Sequence, residues 1–319
     1  MRFEHVVLSG GSVKCFCTLG ALKYHEGRAH LEDVRVVVGS SAGAMLGLFM
    51  VLGYGIDDIT AIMLATHTSA SDAPERGASH AAKLDALFEL TETFGLDDGG
   101  LYVRLMEKAI ATKFGEDVVP SPARLTFADL LRLTGKDLVV SVTNVSKRRS
   151  EFWSAASRPD VHVLTAVRAS IAIPLLFTPV VVDGNYYVDG GVTNNFPLSY
   201  ITDQGDLDRT LAIQIAGAPA KAADVEGGWH FLDYLRAIIA TCTDHGYDHL
   251  ECHTRLTISV EEHEDDWTWF GLCLEDMRVK VHPRVARRWV QQGLDVAKEA
   301  HAGAAQPVRG MSSIVSLPK

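Results

Sequence analysis

Positive charge is in short supply in this chain. Across 319 residues, 30 Lys and Arg stand against 40 Asp and Glu, for a formal net charge of -10. Nucleic-acid binding needs a basic face that displaces counterions from phosphates. The two short basic runs, Lys147-Arg148-Arg149 and Arg284 with Arg287 and Arg288, do not make one. They read as solvated faces, or at most as weak contacts with anionic lipid, and no nucleic acid is expected as a partner. Cysteine is sparse as well. Cys15, Cys17, Cys242, Cys252 and Cys273 are odd in number and irregular in spacing, which argues against a disulfide framework and fits a reducing compartment. Long hydrophobic runs are missing: Ala44 to Tyr54 is the most apolar stretch, and a bilayer span takes about 20 residues. No basic leader precedes an apolar segment after Met1, so a signal peptide is not expected. The expectation is a cytoplasmic protein whose membrane contact is peripheral.

What is present suits one large α/β unit. The chain is 47% hydrophobic with 27 glycines, and it shows no repeat, low-complexity tract or flexible linker. A single domain over 1–319 is expected, with a core of about 3–300 and a tail from 301. Val6 to Ser9 reads as a buried strand running into Gly10-Gly11, followed by a helix through Leu19 and Leu22. Val34 to Val38 is a β-branched run without polar alternation, as in a strand covered on both faces, and Ala44 to Val51 reads as helix. Strand, turn, helix and strand in that order predict a parallel sheet. Further on, Ser69 to Ser79 reads as a loop, and Ala81 to Leu90 and Tyr102 to Phe114 as helices. Thr126 to Asp129 reads as a helix cap, and Leu138 to Val142 as a strand with Ser150 to Trp153 as its hairpin partner. Asp183-Gly184 between Val180–Val182 and Tyr186–Val188 is a hairpin signal. Leu211 to Ile215 and Arg255 to Val260 read as strands, Phe231 to Ile239 and Val285 to Ala300 as helices.

Three short segments carry chemistry. Gly39-Ser40-Ser41-Ala42-Gly43 fits G-x-S-x-G between a strand and a helix. Such a turn strains and exposes the central serine, needs small flanks, and aims the first amides of the helix at a developing oxyanion, with Ala42 N–H the natural first donor. The plainer reading is a small-residue turn that lets a helix pack on a strand. Gly10-Gly11-Ser12-Val13-Lys14 follows the first strand, and successive amides in such a loop form an anion nest. It fits neither the Walker nor the dinucleotide pattern, because Lys14 is followed by Cys15-Phe16. Parallel topology puts this loop and Ser41 on the same edge of the sheet. A serine hydroxyl also needs a base. Asp189-Gly190-Gly191 supplies a carboxylate at a strand end, where burial would raise its pKa, though a turn-forming role for Asp189 stays open. Asp183 competes, but its place in the hairpin turn explains it.

Taken together, these pieces resemble the patatin-like phospholipase family. That family has a glycine-rich oxyanion loop, a Gly-x-Ser-x-Gly elbow and an Asp-Gly-Gly or Asp-Gly-Ala aspartate. Arg168-Ala169-Ser170-Ile171-Ala172-Ile173-Pro174 and Asn194-Asn195-Phe196-Pro197 look like its flanking segments. The resemblance implies a three-layer α/β/α fold with a mostly parallel central sheet and the site at the strand carboxyl ends. It implies a Ser41–Asp189 dyad without histidine, an acyl-serine intermediate and no cofactor or metal. The oxyanion would be held by amides at Gly10, Gly11, Ser12, Lys14 and Ala42, with Gly39, Gly43, Gly190 and Gly191 shaping the turns. The substrate would be a phospholipid or other glycerolipid. Ser12 and Cys15 depart from the family's glycines, and a positive φ at either would cost on the order of 1 kcal/mol or more.

Two rival readings fit the same sequence. One is a histidine-triad esterase using a late histidine among His230, His245, His249, His253, His263, His282 and His301. The other is a non-catalytic lipid-binding relative with an altered loop. Cys242, His245, His249 and Cys252 do not read as a zinc site, because the outer pair would be about 15 Å apart on a continuous helix. Trp267-Thr268-Trp269-Phe270 reads as packing or a hairpin rather than a lipid anchor.

Overall fold

A computed structural model describes residues 2–69, 90–203, 207–216, 254–260, 272–273, 278–279 and 281–303. In chain order the elements are β1 (His5–Leu8), α1 (Cys15–Glu26), β2 (Val36–Ser40), α2 (Ala42–Val51), α3 (Ile56–Ser69), β3 (Gly95–Asp97) and α4 (Gly100–Phe114). There follow α5 (Phe127–Thr134), β4 (Asp137–Asn144), β5 (Arg149–Trp153), α6 (Val163–Ser170), β6 (Leu175–Phe177), β7 (Val180–Val182) and β8 (Asn185–Asp189). The rest are α7 (Ser199–Thr202), β9 (Thr210–Ala216), β10 (Thr254–Ser259), β11 (Leu272–Cys273), β12 (Arg278–Val279) and α8 (Pro283–Gly303). The stretch 70–89, the helix expected at 231–239, the Cys242–Cys252 cluster, the Trp267–Phe270 run and the tail after 303 lie outside the described residues. No helix among the described residues is long and apolar enough to cross a membrane.

The main sheet runs β10-β9-β1-β2-β4-β8-β7, with β5 also on β4. From β10 to β4 every pairing is parallel, and the pairings of β5, β7 and β8 are antiparallel. Period-two alternation sorts the strand residues between two faces. Val6, Leu8, Val37, Leu138, Val140, Leu211 and Ile213 join the larger core with residues of α1, α2 and α8. Val7, Val38, Val139 and Ala212 point the other way, against Phe196, Leu198 and Ile201 around α7. Both faces are thus covered, which is why these strands carry continuous apolar runs.

β2 begins two residues later than the valine run suggests. Val34 N–H turns back to Leu31 O, and Arg35 and Val36 are the first whose N–H groups reach Glu4 O. The Asp183-Gly184 hairpin forms as read, with both residues at positive φ, 50° and 71°. Thr126 caps α5, its side-chain oxygen accepting from Asp129 N–H at 3.1 Å. Helices α3 and α6 have no counterpart in the sequence reading.

One detail of register positions the site. Ser40, the last residue of β2, pairs with Ser141 of β4, and Asp189, the last residue of β8, pairs with the next residue, Val142. Val142 also faces Glu151 of β5, so β2 and β8 share one edge of β4 and β5 takes the other. The two strands therefore meet end to end along β4, running toward each other. Segments 148 residues apart are brought to adjacent positions by the length of one strand.

Candidate active site

A single residue makes the turn between β2 and α2. Ser41 sits at φ 52°, ψ −126°, a conformation costing an L-residue on the order of 1–3 kcal/mol. The packing on either side of it is tight. A Cβ on Gly39 would lie 2.5 Å from Gly43 O, and one on Gly43 would lie 2.5 Å from Leu8 O, both immovable backbone atoms. The Ser41 amide is held too: its N–H donates to Ser170 Oγ at 2.9 Å, and that hydroxyl donates to Ser141 O at 2.7 Å. Ser170, fully buried at the end of α6, received no role from the sequence. Its only mark in the sequence was its place in the Arg168–Pro174 segment.

Asp189 is fixed from three sides. Its N–H donates to Ala172 O at 2.9 Å, its carbonyl accepts from Thr143 Oγ1 at 2.8 Å, and Oδ1 accepts from Gly191 N–H at 2.7 Å. Oδ2 is left to accept from Ser41 Oγ at 2.6 Å. The turn-forming role and the serine-facing role, alternatives in the sequence, are thus performed by different oxygens of one carboxylate. Asp189 is 5% exposed and Ser41 is 9% exposed. Burial pushes the Asp189 carboxyl up to about 7, and the hydrogen bonds from Ser41 and Gly191 offset only part of that rise. Gly190 leaves no room for a side chain, since a Cβ there would meet Ser141 O at 2.2 Å. Asp183 is exposed and pairs with Arg158 at 2.8 Å, away from this cluster.

The glycine loop closes over the same serine. A Cβ on Gly10 would come 3.0 Å from Ser41 Cβ and 2.2 Å from Asn195 Oδ1, and one on Gly191 would lie 2.8 Å from that same oxygen. Asn195 thus occupies the notch between the two glycine motifs, a position no spacing rule revealed. Two of the expected amides are already engaged: Gly10 N–H donates to Asn195 O at 3.0 Å and Lys14 N–H to Gly11 O at 2.9 Å. Gly11 N–H and Ala42 N–H have no partner among the described residues. Of the two departures from glycine, only Ser12 takes a left-handed φ, 48°; Cys15 is helical at −56°. Burial lifts the Cys15 thiol to about 12 and the Cys17 thiol well above its usual range, so neither is a thiolate near neutral pH. Of the late histidines, His282 and His301 are described. His282 accepts from Arg284 N–H at 3.2 Å, and His301 packs on Tyr24 and His30.

A buried, strained serine hydroxyl on a buried carboxylate, beside unpartnered amides, is an arrangement for nucleophilic attack on a carbonyl. The chain is 28% identical over 218 residues to protein R571 of Acanthamoeba polyphaga mimivirus, covering 67% of this chain and 66% of that one. It is 26% identical over 197 residues to the probable lipid hydrolase 463L of Invertebrate iridescent virus 6, covering 61% and 62%. The chain therefore spans slightly less than two thirds of each relative. Among solved structures, VipD from Legionella pneumophila matches with a TM-score of 0.53 at 18% identity, covering 95% of this chain and 67% of that one, a likeness of fold. The model of the patatin-like phospholipase family matches residues 6–201, a span that holds the glycine loop, the elbow and Asp189 alike, and the chain belongs to that family.

Proposed function

We propose that the protein is a serine acyl hydrolase that cleaves fatty-acyl esters of glycerophospholipids or related glycerolipids through a Ser41–Asp189 dyad. The observation that carries the reading is the 2.6 Å bond from Ser41 Oγ to Asp189 Oδ2 inside a buried site. Family membership and the lipid-hydrolase relative support the substrate class. As Ser41 Oγ attacks the ester carbonyl, Asp189 Oδ2 takes its proton. The carbonyl oxygen becomes an oxyanion, for which Gly11 and Ala42 N–H are the available donors. Collapse expels the alcohol, protonated by Asp189, and leaves an acyl-Ser41. Water then gives a proton to Asp189 and attacks the acyl carbon, and the proton returns to Ser41 Oγ as the fatty acid leaves. A carboxyl midpoint near 7 suits this work, because proton transfer is most efficient when the base titrates close to the working pH.

The experiment is hydrolysis of a phospholipid and lysophospholipid panel, with products identified by mass, by the wild type and by Ser41→Ala. The wild type releases free fatty acid, and the variant, folded by circular dichroism, releases none. Turnover by folded Ser41→Ala overturns the proposal.

A further inference from the structure

A row of exposed apolar side chains crosses three strands beside the site. Val181 of β7 pairs with Tyr186 of β8. Asn144 pairs with Tyr187 on β8's other edge, and Val145 N–H donates to Tyr186 O at 2.9 Å, which carries the row on to Val145. Residues in register share a face, so Val181, Tyr186 and Val145 line up side by side. Phe94 extends the row, its ring edge-on to Tyr186 at 6.2 Å between centroids. The four are 56%, 43%, 48% and 54% exposed, large values for apolar side chains gathered in one place. Tyr187 and Val188, next along β8, are buried as usual.

The row continues into the basic loop that the sequence singled out. Val145, Ser146, Lys147 and Arg148 link β4 to β5 and are all exposed, and Ser146 Oγ accepts from Tyr186 N–H at 3.0 Å. Neither Lys147 nor Arg148 forms an ion pair among the described residues, whereas the nearby acids Glu151 and Asp183 are held by Arg149 and Arg158. Arg148 takes a φ of 53°, where glycine would sit without strain. In a chain of net charge -10, an apolar row ending in two exposed cations is a local reversal of sign.

Its location matters as much as its chemistry. Val145 lies three residues beyond Val142, the β4 partner of Asp189, which at about 3.3 Å per residue puts the row about 10 Å from the dyad along the strand. It lies past the carboxyl ends of the parallel strands, on the edge where Ser41 stands. We infer that this surface docks the protein on an anionic lipid bilayer, with Phe94, Val145, Val181 and Tyr186 entering the interfacial zone and Lys147 and Arg148 meeting headgroup phosphates. The inference rests on the lipid substrate proposed above and names the face that meets it. A two-fold contact through this face would set Lys147 and Arg148 against their own copies, so their charge favours an anionic bilayer over a symmetric dimer here.

The test is flotation of the full chain with phosphatidylserine–phosphatidylcholine vesicles and with pure phosphatidylcholine vesicles, using Ser41→Ala so that no lipid is consumed. Binding to the mixed vesicles is expected, weaker on neutral ones and at high salt. In that background, Lys147→Glu with Arg148→Glu lowers partitioning at least about tenfold, each cation near an anionic surface being worth roughly a factor of five. Val181→Ser with Tyr186→Ser lowers it as well. The same pairs of substitutions in the active protein leave hydrolysis of a soluble short-chain ester unchanged. Absence of flotation by the parent, or equal partitioning of parent and variants, overturns the inference. So does a concentration-dependent dimer that Val181→Ser with Tyr186→Ser abolishes. Because flotation needs no catalysis, failure of the dyad reading would leave this test standing.

Discussion

Replacing Asp189 with asparagine tests the electrostatics of the site without any substrate. The carboxyl titrates near 3.8 in an unfolded chain and near 7 in the fold, so between those values the native state holds a proton that the unfolded state has lost. Stability must then fall as pH rises through that window and level off above it. At about 1.4 kcal/mol per pH unit, the ionised carboxylate lowers stability by about 4 kcal/mol once pH passes 7. Wild type alone would obscure this, because buried His25 titrates down near 3 and gives the opposite slope below 6.5, where an unfolded histidine gains a proton. Taking the difference between Asp189→Asn and wild type cancels His25. Urea unfolding of both proteins at several pH values from 4 to 8 is expected to show the variant gaining steadily on wild type, about 1.4 kcal/mol per unit, with a plateau above 7. A difference that does not change with pH would refute the reasoning, since it would mean that burial leaves Asp189 at its ordinary midpoint.

Two further outcomes follow from the same geometry. Because Asp189 must be ionised to take the serine proton, kcat/KM for a soluble ester is expected to fall about tenfold per pH unit below 7 and to level off above it; a flat profile down to pH 5 would contradict that role. Ser12→Val, a β-branched residue at a φ of 48°, is expected to be about 1–2 kcal/mol less stable than Ser12→Gly by chemical denaturation, and equal stabilities of the two variants would show that the loop is not strained there.

The parts of the fold legible in sequence were those written in local chemistry. Val6 to Ser9, Leu211 to Ile215 and the Asp183-Gly184 hairpin gave strands at the right places because buried parallel strands and left-handed turns each demand particular residues. Helices α3 and α6 were missed. The first follows Gly55, with no Ser, Thr, Asp or Asn at the cap position to mark its start, and the second is only 8 residues long, too short for its period to stand out. The meeting of Ser41 with Asp189 rested on motif order rather than on physics, because what joins them is the length of β4, which outlasts β2 and leaves its edge to β8. Ser170 and Asn195 escaped for a related reason: each acts through main-chain neighbours distant in sequence. The loop amides were only partly legible, since occupation of Gly10 N–H depends on Asn195, 185 positions away.

The most direct measurement is covalent labelling with a fluorophosphonate, followed by peptide mass spectrometry. An activated Ser41 is expected to carry the adduct at neutral pH, and Asp189→Asn to slow its formation sharply although the protein remains folded. Labelling at some other serine, or a rate that Asp189→Asn leaves untouched, would contradict a nucleophile driven by that carboxylate.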